Sequence, residues 1–121
     1  MTPGPRLRSG LGLLMLVLAV AAASEGWRAW SSARLGDEVA VLARPGDIEM
    51  IASDTCVYCA KARAWFDAHA VPFTECSIER DEICARRYTA LLAPGTPVMM
   101  VRGQPQLGFS PSGIAEALRR S

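Results

Sequence analysis

Residues 48–70 read IEMIASDTCVYCAKARAWFDAHA, and the fold turns on how this stretch divides. Ile48 to Ala52 is a short apolar run of the kind that forms a buried strand. From Cys56 to Ala70 apolar residues recur at helical spacing, so the chain passes from strand to helix within a few residues. Cys56 and Cys59 fall on the first turn of that helix. The first N–H groups of a helix have no intrahelical partner and its N-terminus is electropositive, so a thiolate there is favoured and its pKa falls. Cys56 is therefore the candidate attacking sulfur. Cys59, one turn further in, is placed to resolve a mixed disulfide by attacking Cys56.

Working outward, Arg44-Pro45-Gly46-Asp47 is a turn signal, with proline at the first central position and glycine at the second. Before it, Leu35 to Ala43 is either an extra strand or a short helix stopped by Pro45 and Gly46. After it the pattern predicts strand 48–53, helix 57–69, strand 72–77, helix 81–92, strand 97–101, strand 105–109 and helix 111–120. Arg102-Gly103-Gln104 marks the turn of a final hairpin, and Ser110-Pro111 puts a capping residue before a proline at the first helical position. The order is that of an α/β domain, with three helices to cover both faces of a small mixed sheet.

The chain has 121 residues, half of them apolar, and a net charge of +1, which leaves room for one domain and gives no electrostatic case for nucleic acid. Arg6 and Arg8 precede the apolar run Leu11 to Ala23, and Ser24 and Glu25 follow it. These are the zones of an export signal, with Ala21 and Ala23 as the small residues before a cleavage point. The rival reading is an uncleaved anchor, with Trp27 and Trp30 in the far membrane interface. Either way residues 1–23 form a signal peptide or signal anchor, 24–46 a linker or N-terminal extension, and 47–121 the folded domain. Both readings place the cysteines outside the cytoplasm, in the periplasm or at the inner membrane facing it.

A strand, Cys-x-x-Cys, a helix, then Thr96-Pro97-Val98 opening a later strand and Gly108 before a last helix together resemble the glutaredoxin branch of the thioredoxin superfamily. The resemblance covers residues 47–120 and implies a thioredoxin-like fold and thiol–disulfide exchange. Tyr58 and both cysteines match the family's common Cys-Pro-Tyr-Cys, while Val57 stands where the proline would be. The resemblance implies a cis bond before Pro97, with Thr96 and Pro97 presenting an extended partner chain to Cys56. Glutathione-using members carry Gly-Gly and a nearby Asp at the last helix. Here Leu107-Gly108-Phe109-Ser110-Pro111-Ser112 has neither the second glycine nor the acid, so the glutathione site is incomplete. Physical grounds also allow capture of a carboxylate by Ser110, Ser112 and their N–H groups, beside Gly108.

Cys76 and Cys84 lie on either side of a sharp turn, and four cysteines in an exported chain invite a structural disulfide between them. Two separate thiols, a second redox pair or metal ligation are the alternatives. Asp54, two residues before Cys56, is expected to cap the helix, with proton transfer to the thiol as its other use. Lys61 and Arg63 read as helix-face charge, His69 as a cation near the helix end, Trp65 and Phe66 as core and rim, and Met99 and Met100 as sheet residues. Tyr58 is expected to be exposed beside the sulfurs as a substrate contact. The resulting expectation is an exported thiol–disulfide oxidoreductase acting on protein thiols and disulfides, with a small thiol such as glutathione second. It exchanges electrons with an unidentified redox donor or acceptor and needs no cofactor or metal beyond its redox cysteines. The rival from another class is a thiolate module in which Cys56 and Cys59 hold copper, zinc or an iron–sulfur cluster.

Overall fold

The computed structural model describes residues 5–121, so the first four residues of the expected export segment lie outside the described residues. The chain divides into two compact units, Met1–Ala33 and Arg34–Ser121. Helix α1 runs from Pro5 to Leu42. From Arg8 to Leu42 it is long and apolar enough to cross a membrane. In the first unit Leu11, Leu14, Leu18 and their neighbours are exposed, as are Trp27 and Trp30, whose rings are 5.2 Å apart. Such a helix is compatible with a signal or an anchor.

In the second unit the elements are the last turns of α1, β1 (Ile48–Ala52), α2 (Val57–Ala68), β2 (Thr74–Ser77), α3 (Glu82–Ala90), β3 (Val98–Val101), β4 (Gln104–Leu107) and α4 (Pro111–Arg120). The four strands form one mixed sheet in the order β2-β1-β3-β4. β1 and β2 are parallel, whereas β1–β3 and β3–β4 are antiparallel. The stretch 35–43, open between strand and helix in the sequence, is helical as far as Leu42, and Val39 within it is fully buried. Gly36 is buried under the His69 ring, at a spot where a Cβ would come within 2.1 Å of Nδ1.

Alternation along the strands sends side chains to two cores. Ile48, Met50, Ala52, Met99 and Val101 join Val39, Cys59, Ala62, Phe66, Ile114, Ala115 and Leu118 in the larger one. Ile51 and Val98 turn to the other face and pack with Cys84, Tyr88 and Leu91 of the α3 region. A parallel pair such as β1 and β2 needs a crossover between its strands, and α2 supplies it.

Most element boundaries differ from the sequence reading by a residue or two, and several have a visible cause. α2 ends at Ala68 with Val71 N–H donating to Phe66 C=O (2.9 Å) and Ala70 N–H to Asp67 C=O (3.3 Å), the paired bonds of a Schellman cap, and Ala70 takes the left-handed φ of 52° usually left to glycine. α3 stops at Ala90, and Leu92 (φ 53°) turns the chain in the same way. β4 begins at Gln104 because Arg102 and Gly103, at φ 47° and 82°, make the hairpin turn alone. It ends at Leu107 because Gly108, at φ 81°, leaves the extended region.

Candidate active site

The register brings four segments to one end of the sheet. Ile51 at the end of β1 faces Val98 at the start of β3, Val98 faces Leu107 at the end of β4, and Ala52 faces Ser77 at the end of β2. The loop 53–56, the Thr96–Pro97 approach to β3, and Gly108 therefore emerge together. The Thr96–Pro97 bond is cis, and Pro97 is fully buried. Gly108 N–H donates to Pro97 C=O (2.9 Å), which ties the two approaches to each other.

Cys56 is itself the N-cap of α2, in extended backbone, and its Sγ accepts the Cys59 N–H at 3.0 Å. The Asp54 capping expectation is thereby corrected. The Asp54 carboxylate lies 3.0 Å from the Ser77 hydroxyl and 2.8 Å from an Arg80 guanidinium nitrogen, so its oxygens face β2 and the turn after it instead of the helix. Cys56 and Cys59 are joined as a disulfide, with Sγ atoms 2.26 Å apart. Cys56 is half-buried and Cys59 is 0% exposed, so solvent and any partner reach only the first sulfur. Val57 and Tyr58, which stand between the two cysteines in sequence, are 66% and 65% exposed.

Charge near the sulfurs is mostly committed elsewhere. Arg63 is paired with Glu75 at 2.8 Å, and that hydrogen bond raises its pKa above the ordinary guanidinium value. Lys61 Nζ lies 5.3 Å from the centre of the Tyr58 ring. A cleft of about 590 Å³ opens at Cys56 and is lined by Ser53, Asp54, Ser77 and Arg80 among others. Glu79, a residue the sequence did not single out, accepts from Ser53 Oγ, from Asp54 N–H (3.2 Å) and from Ser77 Oγ (2.9 Å). Those bonds, the one from Ser53 first, hold its carboxyl below the usual range. With Ser53 and Glu79 26 residues apart, no local pattern signals the contact.

Ser110 caps α4, its Oγ accepting the Gly113 N–H and lying 3.2 Å from Ser112 Oγ. Its hydroxyl is thus engaged in the cap at the place considered for a carboxylate. Cys76 and Cys84 are joined as a second disulfide with Sγ atoms 2.06 Å apart, linking β2 to α3. His69 is the C-cap of α2 and its ring lies 4.7 Å from that of Trp65. Among the described residues no three His, Cys, Asp or Glu side chains are grouped to hold a metal ion.

Residues 48–105 match the family model for glutaredoxin. Among solved structures, the thioredoxin-like protein BC3987, crystallised as a point variant, aligns at a TM-score of 0.55 and 20% identity, over 61% of this chain and 96% of its own. Residues 48–105 are thus a glutaredoxin-like segment, carried on a thioredoxin-like fold. No curated protein matches the chain. The BC3987 likeness is one of fold. The matched segment contains both sulfurs of the Cys56–Cys59 pair, at disulfide distance, and Thr96–Pro97, so thiol–disulfide redox chemistry is the function its site supports. Partners of the family are in general thiols, disulfides or glutathione. Gly108 and Ser110 lie beyond the matched residues.

Proposed function

We propose that this protein is a thiol–disulfide oxidoreductase acting outside the cytoplasm, with residues 1–23 as its signal or anchor. The observation that carries the reading is the asymmetry of the sulfurs: Cys56 Sγ is reachable and receives the Cys59 N–H, while Cys59 is fully buried. In the reduced protein that N–H and the electropositive helix end stabilise a Cys56 thiolate. The thiolate attacks one sulfur of a substrate disulfide, forming a Cys56–substrate bond and releasing the other sulfur as a thiolate. Cys59 gives up its proton and attacks Cys56 Sγ, releasing the second substrate thiol. Two electrons pass from the Cys56–Cys59 dithiol to the substrate, and the reverse sequence oxidises a substrate dithiol.

Tyr58 supplies an exposed contact beside the sulfurs. Thr96 and Pro97 offer backbone to an extended partner segment, and Gly108 and Ser110 border its far side. A protein disulfide is the favoured substrate, because Ser110 is already engaged by Gly113 and the stretch Gly108 to Ser112 has no acidic residue to receive glutathione.

Cys59→Ser should accumulate a mixed disulfide between Cys56 and its substrate, seen as a reducible mass increase, while Cys56→Ser should exchange no disulfide. Exchange that survives in Cys56→Ser would sink the assignment. The reduction potential then gives the direction: near or below about −230 mV the pair reduces its partners, near −120 mV it oxidises them.

A further inference from the structure

The loop closed by the Cys76–Cys84 disulfide carries Ser77, Glu79 and Arg80, and all three reach the segment that delivers Cys56. Glu79 Oε1 accepts from Ser53 Oγ, and Glu79 Oε2 accepts from Asp54 N–H. Arg80 pairs with Asp54 at 2.8 Å. The Ser77 hydroxyl lies within reach of both the Asp54 and Glu79 carboxylates, its one proton serving either. Ser53 and Asp54 are thus gripped three and two residues before Cys56, and Cys56 N–H donates back to Ser53 C=O at 3.3 Å.

An N-cap side chain receives the helix N–H only if the chain enters at the right angle, and here the capping atom is the reactive sulfur. We propose that Glu79 is a positioning residue for the Cys56 thiol, and that the closed Cys76–Cys84 disulfide sets the reactivity of the Cys56–Cys59 pair by holding the loop that carries Glu79. This rests on Cys56 being the attacking sulfur. The charge of Glu79 alone would act in the opposite sense. A carboxylate near a thiolate disfavours it, so simple removal of that charge would make Cys56 more reactive. Release of the grip loosens the entry to α2 and the Cys59 N–H contact with it, and makes Cys56 less reactive.

The opposed signs make the test decisive. The full chain, in detergent, is reduced at Cys56–Cys59 and alkylated with iodoacetamide across a pH series, with the yield at Cys56 read by mass. Glu79→Ala is expected to react at least about threefold more slowly at neutral pH, with its profile moved to higher pH, the amount set by a rise of about half a pKa unit. Glu79→Gln, which keeps an acceptor oxygen and loses the charge, should stay within about twofold of the unaltered chain or exceed it. Cys76→Ala with Cys84→Ala should match Glu79→Ala, and the combination should add nothing further, since both act through one contact. Ser53→Ala removes one donor and no charge; its smaller shift in the same direction keeps the test open should Glu79→Ala not fold. Faster reaction in both Glu79 variants, an unmoved profile accompanied only by a lower melting temperature, or additive effects would overturn the proposal. An unaltered chain whose Cys56 is no more reactive than an ordinary thiol would instead overturn the reading of Cys56 itself.

Discussion

On the face of the sheet covered by α2, α4 and the end of α1, fourteen described residues form a continuous buried cluster that includes Phe66, Ile48, Met50 and Met99. On the α3 face the buried cluster among the described residues is Ile51, Cys84 and Val98, with Cys76, Tyr88 and Leu91 packed around them. The first face is held by area removed from water. α3 covers too little apolar surface for that, and its attachment falls to the Cys76–Cys84 disulfide and the Arg87–Glu49 ion pair. The same element, a cysteine pair, therefore serves opposite ends. Where the core is large, Cys56 and Cys59 sit at its rim and are spared for chemistry; where it is small, a pair is built into the packing.

The contrast breaks most visibly on the larger face. Phe66 is fully buried, with the rings of Trp65, Phe73 and Phe109 within 5.8 Å of its own. Phe66→Ala removes that payload and leaves a cavity, at a cost of about 3–5 kcal/mol, a large share of the ~5–15 kcal/mol that stabilises an ordinary domain. Thermal unfolding of the full chain in detergent should show a large fall in midpoint, or no folded domain. A small fall would mean that the face is not the principal core.

On the α3 face the equivalent loss is covalent. Cys76→Ala with Cys84→Ala opens a loop between positions eight apart and should cost about 2–3 kcal/mol, chiefly by freeing the unfolded chain. Hydrogen exchange should rise in α3 and in β2 while the amides of α2 and α4 keep their protection. Uniform loosening of both faces would show that the two cores act as one.

How much of this was legible follows from the range of each signal. Strand and helix periods are local, so every element from β1 to α4 could be placed, and the Cys56–Cys59 pair with it, on a helix leaving a strand. The ends moved because Ala70, Leu92 and Arg102 adopt left-handed backbone without the glycine that usually announces it. Asp54 has the chemistry of a cap, yet Ser77 and Arg80 draw its oxygens away and the sulfur caps instead. Glu79 was beyond reach because its role comes from sheet register: Ala52 beside Ser77 is what sets the β2–α3 turn against the loop after β1. Residues 35–42 read ambiguously because Val39 is buried by residues distant in the chain, and the His69 ring over Gly36 left no trace at either position.

The smallest expected effect compares the two ends of the β1 strand under acid. At its start, Asp47 Oδ2 accepts from Arg44 N–H (2.9 Å) and from Arg102 (3.1 Å), and these bonds, the backbone one first, lower its pKa from 3.8. Beyond its end, Glu79 is lowered from 4.5, by Ser53 first. A carboxyl whose pKa is lower folded than unfolded contributes stability above the unfolded value, and loses it as pH falls through the folded one. Both contributions should therefore be intact at neutral pH and fade as pH falls below the ordinary values, 4.5 for Glu79 and 3.8 for Asp47. Asp47→Asn should lower the melting temperature at pH 7 and flatten its decline in acid. Glu79→Gln should flatten it less, and Glu79→Ala should slow Cys56 alkylation, because the hydrogen bonds of Glu79 hold a reactive loop while those of Asp47 hold the base of the sheet. Equal acid responses in Asp47→Asn and Glu79→Gln, with alkylation unchanged in Glu79→Ala, would mean that the ends of the strand do not divide stability from reactivity in this way.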